Sequence, residues 1–304
     1  MVFTLPHQFA SLALQNQKVL YDLLFQVSAE TLLTIAADPK HLGAQIGFFS
    51  VLHTWGQNLL LHPHVHCVVT GGGLSLDRRG WISPRRPRFF VPVKVLSARF
   101  RSLFQAAFWR AFDAGQLNFH GQLQPLRDRA ALQKSLAPIR RSQWVVYAKP
   151  PFGGPQRVLE YLGRYTHRIA ISNHRLQHWD AQSGQVSFQW KNYRQQGPGA
   201  VGTMTPGVDE FIRRFLLHTL PSGFQRIRYY GLLANRSRAA TLALCRQLLQ
   251  ASQLLPNVQL RVAPPLLAPL PAVPTFHCPR CQVGVLVRTQ TLFPIAWPRQ
   301  PDSS

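Results

Sequence analysis

The segment His62-Pro63-His64-Val65-His66-Cys67-Val68-Val69 constrains this chain more than any other. Its period is two, which is the period of a β-strand, where successive side chains point to opposite faces. His64 and His66 then share one face and present two imidazoles to a single divalent ion. Val65, Cys67 and Val69 point the other way, into a core. A second period follows at residues 157–168, where Val158, Leu159 and Leu162 form an apolar stripe at helical spacing. Gly153, Gly154 and Pro155 mark the start of that helix. Tyr161 and Tyr165 stand four apart, so both phenols lie on one helix face, with Arg157, Arg164 and Arg168 around them. Two tyrosines so spaced are often core packing. Beside a His-x-His strand in a basic chain, they read instead as a pair of nucleophiles acting on DNA.

The formal charge is +23, from 34 Lys plus Arg against 11 Asp plus Glu. This balance predicts a polyanionic partner, and guanidinium forks suit phosphate oxygens. A GC-rich genome would explain arginine over lysine, but not the scarcity of acids. No secretory leader and no unbroken apolar run of membrane-spanning length is apparent. The four cysteines are too few and scattered for a disulfide framework. The expectation is a cytoplasmic protein with reduced thiols and no membrane partner.

The element pattern predicts helices over residues 7–37, 95–115, 128–140, 207–219 and 237–252. It predicts strands over 47–55, 64–70, 142–148 and 224–233, and a hairpin over 174–193 turning at Ser183-Gly184. That order implies an α+β fold, in which an antiparallel sheet carries the histidines and a helix carries the tyrosines across it. The expected divisions are 1–170 for the catalytic domain, 171–252 for a hairpin and helices completing it, and 253–304 for a proline-rich linker and tail. His277-Cys278-Pro279-Arg280-Cys281 in that tail is half of a zinc ribbon, short of ligands.

Several stretches together resemble a known family. They are Val2-Phe3-Thr4-Leu5-Pro6-His7, His53-Thr54-Trp55-Gly56-Gln57-Asn58, the His62–Cys67 segment, Trp144–Pro155, Tyr161–Arg168, Asp209–Phe215 and Tyr230–Ala234. In this order, over residues 2–250, they resemble the two-tyrosine HUH transposases of bacterial insertion sequences, the insertion sequence ninety-one family. The resemblance implies an HUH-nuclease-like sheet with flanking helices. It also implies rolling-circle transposition, with DNA nicked and rejoined as a single strand at transposon ends and target. Members carry a cysteine-rich zinc segment ahead of the first strand. Here Met1 falls inside that strand, so the resemblance implies a truncated member.

An HUH site takes a third, polar metal ligand. Gln57 is the first candidate, with His53 and His62 as rivals. Imidazole and amide donors suit Mg²⁺ or Mn²⁺. Arg213 and Arg214 join Arg157, Arg164 and Arg168 as candidate DNA contacts. Two other readings stand beside the transposase. One is an inactive remnant that only binds DNA. The other is a zinc hydrolase, which would want an acidic ligand near the histidines, yet none lies between Asp38 and Asp77.

Overall fold

The computed structural model describes all residues except 86–90, 153, 167–169, 193–199, 250–275, 278–284 and 287–304. Within residues 155–166 the side chains of Pro155, Leu162, Arg164, Tyr165 and Thr166 are likewise not described. Contacts divide the chain into two compact units, Met1–Leu254 and Leu255–Ser304.

In the first unit, β1 (Val2–Thr4) leads into α1 (Ala10–Gln15), α2 (Gln17–Ala37) and β2 (Ala44–Gln45). The long hairpin of β3 (Gly47–Trp55) and β4 (Leu61–Val69) follows, then β5 (Gly73–Ser75), β6 (Trp81–Ile82), α3 (Val93–Asp113) and α4 (Arg129–Arg140). Next come β7 (Val146–Tyr147), α5 (Pro155–Thr166), β8 (Leu176–Asp180), β9 (Gln185–Lys191) and β10 (Val201–Met204). The unit closes with α6 (Val208–Leu216), β11 (Ile227–Gly231) and α7 (Arg238–Leu248). In the second unit, β12 (Phe276–His277) pairs with β13 (Val285–Leu286). Cys278 and Cys281 lie outside the described residues.

The architecture is the expected α+β. Five antiparallel strands run in the order β11-β3-β4-β1-β7, with helices packed against them. Pairing along the hairpin sets the faces. His53 stands opposite His64, and Val51 opposite His66. The alternate residues Phe3, Phe48, Leu52, Val65 and Cys67 point to the other side, each 1% exposed or less. There they meet α1, α2 and α3 in one apolar cluster. Phe100 of α3 makes edge contacts at 5.1 Å with Phe3 and 5.5 Å with Trp144. Each fully buried Phe or Leu contributes roughly 1.5–3 kcal/mol relative to exposure. Helix α2 is long and apolar enough to cross a membrane by length and composition. Its apolar residues Leu20, Leu24, Phe25 and Leu32 are buried in this cluster, which is the position of a core helix.

Some expectations change. The strand expected over 142–148 shrinks to β7, because Trp144 leaves the sheet line to fill the core between Phe9, Phe100 and Phe104. The small sheet of β2, β5 and β6, and strand β10 beside the expected hairpin, were not foreseen. Leu159 does not join an apolar stripe on α5; it is 60% exposed. The residues of α5 that line a cavity beside the sheet are Val158 and Tyr161. At the end of β11, Gly231 adopts φ +56, and a Cβ there would fall 2.0 Å from the Ile46 carbonyl oxygen. No other residue fits that crossing.

Candidate active site

The face of the sheet turned away from the core helices carries the histidines. His53, His64 and His66 each offer a ring nitrogen, and the three nitrogens lie within 4.8 Å of one another. Ring centroids stand 4.5 Å apart for His53 and His66, and 5.0 Å for His64 and His66. Cross-strand pairing brings His53 into the set, since opposite residues share a face. His53 is 3% exposed and lies flat on the indole of Trp55, centroids 4.8 Å apart and 14° between planes.

His64 Nδ1 sits 2.6 Å from the His62 carbonyl oxygen. A carbonyl only accepts, so Nδ1 carries the proton and Nε2 keeps its lone pair for a ligand. Burial first, and then charge on neighbouring His53, push the His64 imidazole down to about 3. The ring is therefore neutral near pH 7, the form that binds metals.

Of the rivals for the third position, His53 stands in the cluster. His62 is exposed, its ring 5.2 Å from that of His64. Gln57 lies on the β3–β4 loop, where its backbone carbonyl accepts a hydrogen bond from Arg175. Three imidazole nitrogens gathered within 4.8 Å form a donor set of the kind that holds a divalent ion.

Helix α5 brings Tyr161 to this cluster. Its hydroxyl lies 2.9 Å from His66 Nδ1, and its ring meets Phe152 at 5.1 Å. A cavity of about 940 Å³ opens beside them, lined by His66 and Phe49 from the sheet and by Tyr147, Phe152, Val158 and Tyr161. Tyr147 and Phe152 are 52% and 38% exposed, so their rings are open to a stacking partner.

Tyr165 is four residues further along α5; its side chain and that of Arg164 are not described, and Arg168 lies outside the described residues. Arg157 is exposed on α5. On α6, Glu210 holds Arg213 at 2.5 Å and Arg214 at 2.6 Å, and the two guanidiniums pull the Glu210 carboxyl down to about 2. Arg213 is exposed. Arg214 is largely covered and reaches the Asn58 carbonyl oxygen at 3.2 Å. Sequence reasoning assigned Arg175 and His218 no part, yet both contact the loop next to the cluster. Cys67 and Cys245 are buried free thiols, and burial raises both.

The chain matches the model of a family described as "Putative transposase" (Y2_Tnp) over residues 47–240. It is 59% identical over 251 residues to "Putative transposase y4qJ" of Sinorhizobium fredii (strain NBRC 101917 / NGR234), across 83% of this chain and 62% of that protein. It is 29% identical over 288 residues to "Transposase for insertion sequence element IS801" of Pseudomonas savastanoi pv. phaseolicola, across 92% of this chain and 65% of that protein. The alignments thus span a little under two-thirds of the length of these relatives. No solved structure matches. The family match takes in the histidine hairpin, the tyrosine helix and α6, and it answers the resemblance that the motifs carried: the chain belongs to this transposase family.

Proposed function

We propose that this chain nicks and rejoins single-stranded DNA through a 5′-phosphotyrosine, as the DNA-processing step of rolling-circle transposition in the cytoplasm. The observation that carries the reading is the Tyr161 hydroxyl, 2.9 Å from a ring nitrogen of a three-imidazole cluster. His53, His64 and His66 would hold Mg²⁺ or Mn²⁺. Such an ion, when bound, draws charge from the scissile phosphate and steadies the departing oxygen.

The chain's own groups do the rest. A free phenol is a weak nucleophile, with a pKa of about 10. His66 Nδ1 fixes the Tyr161 oxygen at the cluster and, as a donor, favours its phenolate. That oxygen bonds to phosphorus as the bond from phosphorus to the 3′ oxygen breaks. The phenolic proton passes to water, and the 3′ oxygen leaves as a hydroxyl. The phosphotyrosine keeps the energy of the phosphodiester, so a second 3′ hydroxyl can reverse the attack without ATP. Tyr165, one turn further on, is the second nucleophile, allowing two strands to be held at once.

The cavity supports a single-stranded substrate. A base in a duplex is stacked and cannot enter it, whereas an unpaired base can lie on Tyr147 or Phe152. Arg157, Arg164, Arg168, Arg213 and Arg214 stay candidate phosphate contacts, and the +23 charge gives them a long-range field.

The test is a denaturing gel of the protein with labelled single-stranded DNA carrying the element's ends, with Mn²⁺. The expected result is a metal-dependent covalent adduct that disappears in the double variant Tyr161→Phe/Tyr165→Phe. An adduct surviving in that variant sinks the reading.

A further inference from the structure

The β3–β4 loop between Trp55 and Leu61 is held in an unusual way. Leu59 is a non-glycine residue at φ +59, in the left-handed region, and it is fully buried. Such a conformation costs energy and persists only where its surroundings over-determine it. The Leu59 side chain sits in a small second core with Ala170, Ile171 and Phe188, bordered by Trp55, Trp190, Met204 and Phe211. Three consecutive carbonyls of the loop are then taken by three side chains from distant parts of the chain. Arg175 Nη2 donates to the Gln57 oxygen. Arg214 Nη1 donates to the Asn58 oxygen at 3.2 Å. His218 Nε2 donates to the Leu59 oxygen at 3.1 Å.

Each donor is itself anchored. Arg175 Nε donates to the Gln189 carbonyl of β9 at 2.8 Å. Arg214 Nε is paired with Glu210. His218 must carry its proton on Nε2, because its partner there is a carbonyl. Its Nδ1 therefore accepts from the Thr54 hydroxyl, at 3.2 Å. The His218 ring also meets Trp55 edge-on at 5.9 Å, and Trp55 lies flat on His53. A contiguous line thus runs from His218, just beyond α6, through Trp55 to an imidazole of the cluster.

We propose that Arg175, Arg214 and His218 are positioning residues: they clamp the β3–β4 loop and so set His53 against His64 and His66. This inference rests on the metal site proposed above, and it gives Arg175, Arg214 and His218 a task in that site. Two strand ends joined by a five-residue loop would otherwise leave His53 free to drift relative to His64, and outer groups that orient metal ligands typically change affinity by about 10–100-fold.

The experiment titrates Mn²⁺ into the full chain without DNA, following free Mn²⁺ by electron paramagnetic resonance. Thermal unfolding and metal-free binding to oligothymidylate are measured alongside. Arg175→Met keeps much of the side-chain bulk and removes the guanidinium that holds the Gln57 carbonyl. The expected result is Mn²⁺ affinity about tenfold lower or more, with cooperative unfolding retained and oligothymidylate affinity within twofold of wild type. Should that variant fail to fold, Thr54→Val deletes only the hydroxyl that orients His218, and a several-fold loss of Mn²⁺ affinity is expected. Wild-type Mn²⁺ binding in a folded variant overturns the clamp alone. A fall in oligothymidylate affinity with Mn²⁺ binding intact makes Arg175 a DNA contact and also overturns it. Absence of Mn²⁺ binding in the wild type overturns the metal site itself, and the clamp with it.

Discussion

The two faces of the five-stranded sheet are built from the same strands and behave oppositely. On strand β4, Val65 and Cys67 point into the helical core, while His64 and His66 lie on the opposite face, where His66 lines an open cavity. The core face is filled by Phe3, Phe48, Leu52 and the rings of α3, with little tolerance for lost volume. The other face leaves space between β4 and α5 and lines it with the His66 imidazole and aromatic rings. One face supplies stability, and it supports the other, which supplies chemistry. A substitution should therefore change folding or reaction according to its face, even at adjacent positions.

The largest separation is expected between Phe100→Ala and His66→Ala. Phe100 is fully buried against Phe3 and Trp144, and truncation should cost about 3–5 kcal/mol in urea unfolding. Protein still folded should form the DNA adduct normally. His66→Ala should leave unfolding nearly unchanged and abolish the adduct. Equal stability losses in both variants would erase the distinction between faces.

A smaller effect is expected from pH. His64 is held near 3 in the folded chain, against about 6.5 when unfolded. Below pH 6.5 the unfolded chain binds a proton that the folded chain refuses. The His64 contribution is therefore complete above pH 6.5 and is lost as pH falls toward 3. His218 is also lowered by burial and acts in the same direction. Urea unfolding of His64→Gln should show a shallower fall in stability over that window than wild type. An identical fall would mean that the ring is protonated in the folded chain.

The smallest effect belongs to the far side of the core. Asp128 caps α4 by accepting from the Ala131 amide at 2.8 Å. Asp128→Ala should lower stability by about 1 kcal/mol and leave adduct formation untouched. A change in adduct yield would tie α4 to the reaction.

What could be read from the chain follows from range. The His64–His66 pair and the tyrosine spacing are local periods, and the structure brings Tyr161 to His66. The place of His53 beside His64 and His66 comes from the β3–β4 pairing, which shifts between His53 and Trp55. No periodicity reveals such an irregularity. Strands β2, β5 and β6 are too short to carry a period. Trp144 had the residues of a strand but filled a hole between phenylalanines instead. The Arg175, Arg214 and His218 contacts go to backbone carbonyls more than 100 residues away in sequence, where residue type carries no signal. The basic composition pointed correctly to a DNA-processing family, but Arg214 shows that a single arginine can be engaged in structure.

The central claim is that Tyr161 and Tyr165 attack DNA beside the imidazole cluster. Tandem mass spectrometry of the trapped adduct tests it most directly. Trypsin cuts after Arg157, Arg164 and Arg168, so the two tyrosines fall in separate peptides. The account predicts nucleotide mass on Tyr161, on Tyr165 or on both, and none when Mn²⁺ is withheld. Nucleotide carried on any other residue, such as Tyr147 at the cavity rim, would contradict it.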